Sequence, residues 1–187
     1  MREFASPSLS LAGSLLIAHP SLLDRNFRKS VLFISTNDTQ EGSFGLTLNR
    51  PAGRTVGELL PGRELGVLGN VPVFLGGPVS GDQLIFASFK WHSQTERLEC
   101  NHHLVIDEAE ECLKDESIVV RAFVGYAGWG PGQLESELES GSWLITGPTV
   151  QQVLHGGEDE LWNKLITRVT LGGRIKTELI PDDPSVN

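Results

Sequence analysis

Short apolar runs broken by glycine, proline and polar clusters set the rhythm of the chain. Leu15 to His19, Ser30 to Ser35 and Phe44 to Asn49 each read as a strand, and the turn residues Asn37 to Gly42 join the second and third as a hairpin. Between the first two strands the chain is polar, with Leu23 and Phe27 four residues apart and able to anchor one helical turn. Thr55 to Leu60 predicts a short helix, because a Thr N-cap followed three residues later by Glu58 is a capping box. Gly62 to Asn70 predicts a loop. Val71 to Leu75 predicts a strand whose Pro72 places it at an edge or a start. Gln83 to Phe89 is another strand, a polar segment runs through Glu99, and His103 to Ile106 is a short strand. Asp107 then caps a helix through about Lys114, with Glu108, Glu110 and Glu111 near its positive end. Ser117 to Val124 carries the strongest strand pattern, and Gly141 to Ile145 a brief one. Pro148 to His155 fits neither period. Glu158 to Leu171 places Leu161, Trp162, Leu165, Ile166 and Val169 on one helical face, and the tail from Pro181 is expected to be mobile.

Strands joined partly by hairpins, with short helices between them, predict an α+β fold with a mixed, largely antiparallel sheet. No repeat or compositional break divides the 187 residues, so one domain is expected over 1–187, with its core in about 15–171.

The run Gly125 to Leu138 follows the strongest strand and is dense in glycine, with Tyr126 and Trp129 inside it. A strand, a glycine turn and a helix N-terminus together can cradle phosphate. Here Gly132 is followed by Gln133 and Leu134 where a P-loop needs Lys and Ser or Thr, and Gln133 stands where the dinucleotide fingerprint needs its third glycine. Glu135, Glu137 and Glu139 also load the following helix with negative charge. An architectural corner accounts for more: Gly130 as N-cap, Pro131 at N1, a Leu134 and Leu138 ridge, and Gly141 as a left-handed residue past the end. Tyr126 and Trp129 combine apolar area with a polar tip and are the residues expected to do more than pack, Trp129 by lining a surface pocket. Gly76 and Gly77 form a second glycine turn, read as a tight bend.

Composition narrows the function. Hydrophobic residues make up 39% and charged residues 21%, ordinary for a globular chain, and no run approaches the ~18 apolar residues of a membrane span. A formal net charge of -9 repels polyphosphate, so nucleic acid is a disfavoured partner and no membrane partner is expected. Arg25, Arg28, Lys29 and Arg50 form one basic concentration, without a DNA-binding motif beside it. The two cysteines, Cys100 and Cys112, read as free thiols in a reducing, cytoplasmic setting, and Ser8 to Ala18 behind Arg2 is too interrupted for a secretory signal.

No catalytic set emerges: there is no Gly-x-Ser-x-Gly elbow and no Ser-x-x-Lys, and His19 and His155 are bases only as any histidine is. Cys100, His102, His103 and Cys112 are zinc ligand types without zinc spacing, and neighbouring His102 and His103 should point to opposite faces of a strand. Neither a metal site nor a cofactor is expected.

Four segments in order, His19-Pro20-Ser21-Leu22 with Asp24 and Phe27, Gly45 to Pro51, Phe74 to Val79, and Gly125 to Glu135, resemble the signature segments of the bacterial YqgE/AlgH family. The resemblance spans about Leu15 to Leu171. It implies a single-domain α+β fold around a mixed, bulged sheet in a cytoplasmic protein, in a family whose members are often labelled transcriptional regulators. It brings no catalytic residues. It implies a candidate binding surface of Asn49, Arg50, Gly76, Gly77, Gly125, Gly128, Trp129 and Gln133, to which the ring of Tyr126 is added. Many members have a cysteine in the strand where this chain reads Phe33-Ile34-Ser35-Thr36, so no thiol role transfers there. The leading expectation is a non-enzymatic binding or regulatory protein acting through protein contacts or a small ligand. The alternatives are an enzyme with a polar pocket built from Asn49, Arg50 and the glycine turns, and a DNA-binding regulator.

Overall fold

The computed structural model describes residues 10–149 and 158–178, with the side chains of 158–159 and 172–178 left aside. Arg2, most of Pro148 to His155 and the tail from Pro181 lie outside the described residues. The strands are β1 (Leu15–Ala18), β2 (Val31–Asp38), β3 (Gly42–Thr47), β4 (Pro51–Thr55), β5 (Pro72–Leu75), β6 (Val79–His92), β7 (Arg97–Leu104), β8 (Ile118–Trp129) and β9 (Trp143–Thr146). The helices are α1 (Val56–Leu59), α2 (Ile106–Cys112), α3 (Gln133–Glu139) and α4 (Glu158–Glu178), with a 3-10 turn at Gly66–Asn70. They build the expected α+β fold on one nine-stranded mixed sheet, curled into a half-barrel.

The sheet is organised by β8. Its first half lies between β6, antiparallel, and β5, parallel through Val73 with Ala122 and Leu75 with Val124. Its second half leaves β5 and pairs instead with β3, Gly45 opposite Ala127 and Ser43 opposite Trp129. From β3 the order continues through β2 and β1 to β9. The exchange of partners occurs at Gly125, where φ is +67° and the backbones of Gly76 and Gly77 cross at contact distance. A β-carbon on Gly76 would overlap the Gly125 carbonyl, and one on Gly77 the Tyr126 peptide. Glycine is required there because backbone meets backbone.

Three apolar clusters fill the structure. The largest, inside the curl, joins Phe33, Phe74, Phe89 and Phe123 to Leu161 and Leu165 of α4. The indole Nε1 of Trp162 ties that helix down by donating to the Ala18 carbonyl at 2.8 Å. A second cluster under α1 and α2 contains Val56, Leu68, Val73, Ala109 and Ala122. On the opposite face of the β1 to β3 layer, Leu16, Leu32, Ile34, Trp129, Leu134 and Trp143 form the third.

Several sequence expectations need correction. The polar segment before Glu99 is not a loop: β6 runs on to His92, and β7 returns from Arg97, because each residue there needs only one buried face and the exposed face is free to be polar. The strand β4 went unread because its residues are mostly exposed at the sheet edge. Leu23 is 75% exposed and anchors nothing; the turn starts at Asp24, whose Oδ1 accepts from the Asn26 amide, so Leu22 and Phe27 face the core instead. Helix α2 begins at Ile106, not after Asp107, since Glu108 reaches back to the Val105 amide at 3.0 Å. Helix α4 extends past Leu171 to Glu178. The capping box of α1 is as expected, with Glu58 Oε2 accepting from the Thr55 amide at 2.7 Å.

Candidate functional site

The glycine-rich run is strand for its first five residues. β8 continues through Trp129, and α3 starts at Gln133 behind Gly132, which is left-handed at φ 72°. Gly130 and Pro131 are therefore not the N-cap and N1. Gln133 makes the corner instead: its Oε1 accepts from the Gly130 amide at 3.1 Å and its Nε2 donates to Glu137 Oε1 at 2.9 Å. Gly141, with φ 74°, does close α3, its amide donating to the Leu138 carbonyl.

Trp129 points its ring into the core and is 5% exposed. Its Nε1 and that of Trp143 both donate to Glu137 Oε2, at 3.0 and 2.8 Å, so one carboxylate oxygen fastens α3 to two indoles. Phe27 completes this aromatic corner, 5.4 Å from the Trp143 ring and 6.3 Å from that of Trp129.

The other face of the same strands carries a cleft of about 510 Å³. It is lined by Thr36, Asp38 and Glu41 from the end of β2 and its turn, by Gly42, Ser43 and Phe44 of β3, and by Val79, Tyr126, Gly128 and Trp129. Phe44 pairs in register with Thr36 on one side and Gly128 on the other, and the period-2 alternation sets Tyr126 beside them. The Phe44 and Tyr126 rings stack at 4.9 Å. Asp38 and Glu41 stand exposed at the rim, and among the described residues no lysine or arginine lines the cleft. Amides of Glu41 and Gln40 donate to Asp38 and hold its carboxyl below the usual range, so it stays ionised. A second hollow of about 490 Å³ is lined by Gly66, Val67, Glu110, Leu113 and Lys114, with no aromatic ring among the described residues there.

The nominated residues therefore divide. Tyr126, Gly128 and Trp129 line the cleft, but the Trp129 ring, expected to face a surface pocket, is buried in the third apolar cluster, and Gln133 bonds to the Gly130 amide behind it. Gly76, Gly77 and Gly125 make the backbone crossing beside it. Asn49 and Arg50 lie past the far end of β3, roughly 20 Å along the strand from Ser43. Their polar atoms are engaged: Asn49 Oδ1 accepts from the Val31 amide at 2.8 Å, and its Nδ2 donates to the Lys29 carbonyl at 2.9 Å. Arg50 donates to the carbonyls of Arg25 and Arg28 and is pushed down from its ordinary pKa chiefly by burial. The basic concentration does gather, with Lys29 Nζ also 5.7 Å above the Trp162 ring.

Sequence reasoning passed over Thr36, Asp38, Glu41, Phe44 and Val79. The hairpin phase was the available signal, since it sets Thr36 and Phe44 on one face. It also missed a bulge in β7: Phe86 pairs with Leu104 and Ala87 with His102, leaving His103 extra, at φ 59°. The two histidines therefore do not face opposite ways. Among the described residues no group of three or more His, Cys, Asp or Glu is placed to hold a metal ion.

The AlgH-like family model matches residues 15–174, most of the chain. The chain belongs to the AlgH-like family. A UPF0301 protein of Streptomyces coelicolor is 36% identical over 189 residues, covering 95% of this chain and 96% of the relative. One from Myxococcus xanthus is 38% identical over 164 residues, covering 82% and 88%. The solution structure of AlgH from Pseudomonas aeruginosa superposes on this AlgH-like chain with a TM-score of 0.63 at 24% identity, over 90% of this chain and 93% of that one. A crystal structure of protein DIP2367 from Corynebacterium diphtheriae gives the same TM-score at 23% identity, over 84% and 86%. These two share the fold. The names of the relatives assign no reaction, and among the described residues of the AlgH-like chain no helix is long and apolar enough to cross a membrane.

Proposed function

We propose that this AlgH-like protein is a non-catalytic binding protein that takes a small ligand in the cleft between the β2 to β3 turn and the second half of β8. Occupancy would alter the surface offered to a protein partner, which is where a regulatory role in the cytoplasm would act. The observation that carries this reading is Gly128. Its φ is not in the left-handed region, so its backbone suits any residue, yet it is exposed on the cleft floor. A β-carbon there would come 3.2 Å from the Tyr126 ring and 3.8 Å from Val79 Cγ2. The missing side chain keeps space for Tyr126 and for whatever lies over it. A volume of about 510 Å³ is in the range of small-molecule sites.

The enzyme alternative required Asn49 and Arg50 to join the glycine turns in one polar pocket. With their polar atoms bonded to backbone carbonyls and an amide at the other end of β3, that reading has less support. An acidic rim and the overall charge of -9 also count against a DNA-binding regulator.

The test is a ligand-observed NMR screen of metabolite-sized cations, anions and neutral compounds against wild-type protein and folded Gly128→Val. Binders whose signals are lost in the variant are expected. A screen whose every hit survives Gly128→Val would overturn the assignment.

A further inference from the structure

We infer that His102 and His103 form a two-imidazole site for a divalent transition-metal ion of borderline softness, on β7 beside Phe44. Adjacent strand residues normally project to opposite faces. Here the β7 bulge and the positive φ of His103 bring both rings to one side, with centroids 4.8 Å apart and the two Nδ1 atoms at 2.6 Å. A left-handed histidine is uncommon backbone, and a bulge of this kind re-aims a side chain. His103 is exposed, so burial in the core does not require the arrangement.

The ring of His102 is held in place: it stacks on Phe44 at 4.4 Å, while that of His103 lies 5.3 Å from the same phenyl. In the metal-free form one Nδ1 must donate its hydrogen to the other. An ion at ~2.0–2.1 Å from each nitrogen takes the place of that hydrogen, which moves to Nε2 of the same ring, so both imidazoles ligate through Nδ1 in the neutral form with no net proton released. Tetrahedral coordination at that bond length sets the two nitrogens about 3.3 Å apart, so the rings need open by only about 0.7 Å. His102 is held below the usual imidazole pKa, first by burial and then by His103. The nearby Glu99 is already engaged by His92 at 2.6 Å and by Asn101 at 3.0 Å. With two protein ligands the remaining positions fall to water or to a donor from solution, which makes an open, exchangeable site.

The proposal is independent of the ligand cleft and can fail without it. Isothermal titration of the intact, metal-stripped protein with Cu²⁺, Ni²⁺, Zn²⁺ and Mg²⁺ should give one ion per chain, tightest for Cu²⁺ and absent for Mg²⁺. His103→Asn retains a residue that tolerates the left-handed backbone and should weaken binding about tenfold or more; His102→Gln should do the same, and His92→Gln should not. Imidazole ¹⁵N NMR of the wild-type protein, which needs no variant to fold, should show Zn²⁺ moving the Nδ1 resonances of both histidines. Binding unchanged in His103→Asn, or ¹⁵N shifts confined to other histidines, would overturn the site, and the absence of any ion binding near neutral pH would do so outright.

Discussion

Replacing Glu137 with alanine tests the physical account of the corner behind the cleft. Its Oε2 accepts from Nε1 of both Trp129 and Trp143, which are 5% and 3% exposed, and its Oε1 accepts from Gln133. Truncation leaves two buried indole N–H groups without an acceptor, each costing roughly 1–3 kcal/mol, so a loss of about 2–6 kcal/mol is expected. The lower half of that range is favoured because Glu137 is only half-buried and water can reach part of the gap. A single domain holds about 5–15 kcal/mol in total, so the variant should remain folded but visibly weakened. Glu137→Gln keeps a neutral acceptor and should lose less, since bonds to a charged group are about twice as strong. Urea unfolding followed by far-ultraviolet circular dichroism and tryptophan emission gives both values. Trp143→Phe removes one donor while keeping a ring, so in that background Glu137→Ala should cost about 1–2 kcal/mol less. A Glu137→Ala protein within about 0.5 kcal/mol of wild type would refute the corner's dependence on this carboxylate.

Burial pushes the Cys100 thiol up to about 12, so a thiol reagent at pH 8 should leave it unmodified until the protein is denatured. The hydroxyl and amide of Ser117, then Lys90, hold Asp115 down to about 2 from 3.8; its stabilising effect is present above pH 4 and is lost as pH falls towards 2, so Asp115→Asn should flatten stability across that window in acid titration. Gly76→Ala should cost about 3 kcal/mol or more in thermal or urea unfolding, because its β-carbon meets the Gly125 carbonyl, whereas Gly81→Ala, which meets open space, should stay within about 0.5 kcal/mol.

The α+β class and most strands were legible because their apolar runs are short, dense in branched residues and punctuated by turn signals. What the pattern hid was pairing. A five-residue edge strand such as β4 buries little, and the polar hairpin of β6 and β7 alternates only on its inner face, so neither shows a run of apolar residues. The cleft was half legible. Tyr126, Gly128 and Trp129 stand out in a glycine-rich segment, but Thr36, Asp38 and Phe44 reach them only because β8 changes partner at Gly125, a long-range event with no local signature. Asn49 and Arg50 looked like pocket residues for the same reason: their backbone partners, 18 to 25 residues away, are invisible in sequence. The His103 bulge likewise depends on the register of β6, not on the histidines.

The most direct test of the cleft is a two-dimensional amide NMR titration of isotopically labelled protein with the tightest compound from the ligand screen. Shifts should centre on Thr36, Phe44, Tyr126 and Gly128 and vanish in folded Gly128→Val. Shifts centred instead on Asn49 and Arg50, or on the hollow at Gly66 and Leu113, with the cleft amides unmoved, would contradict it.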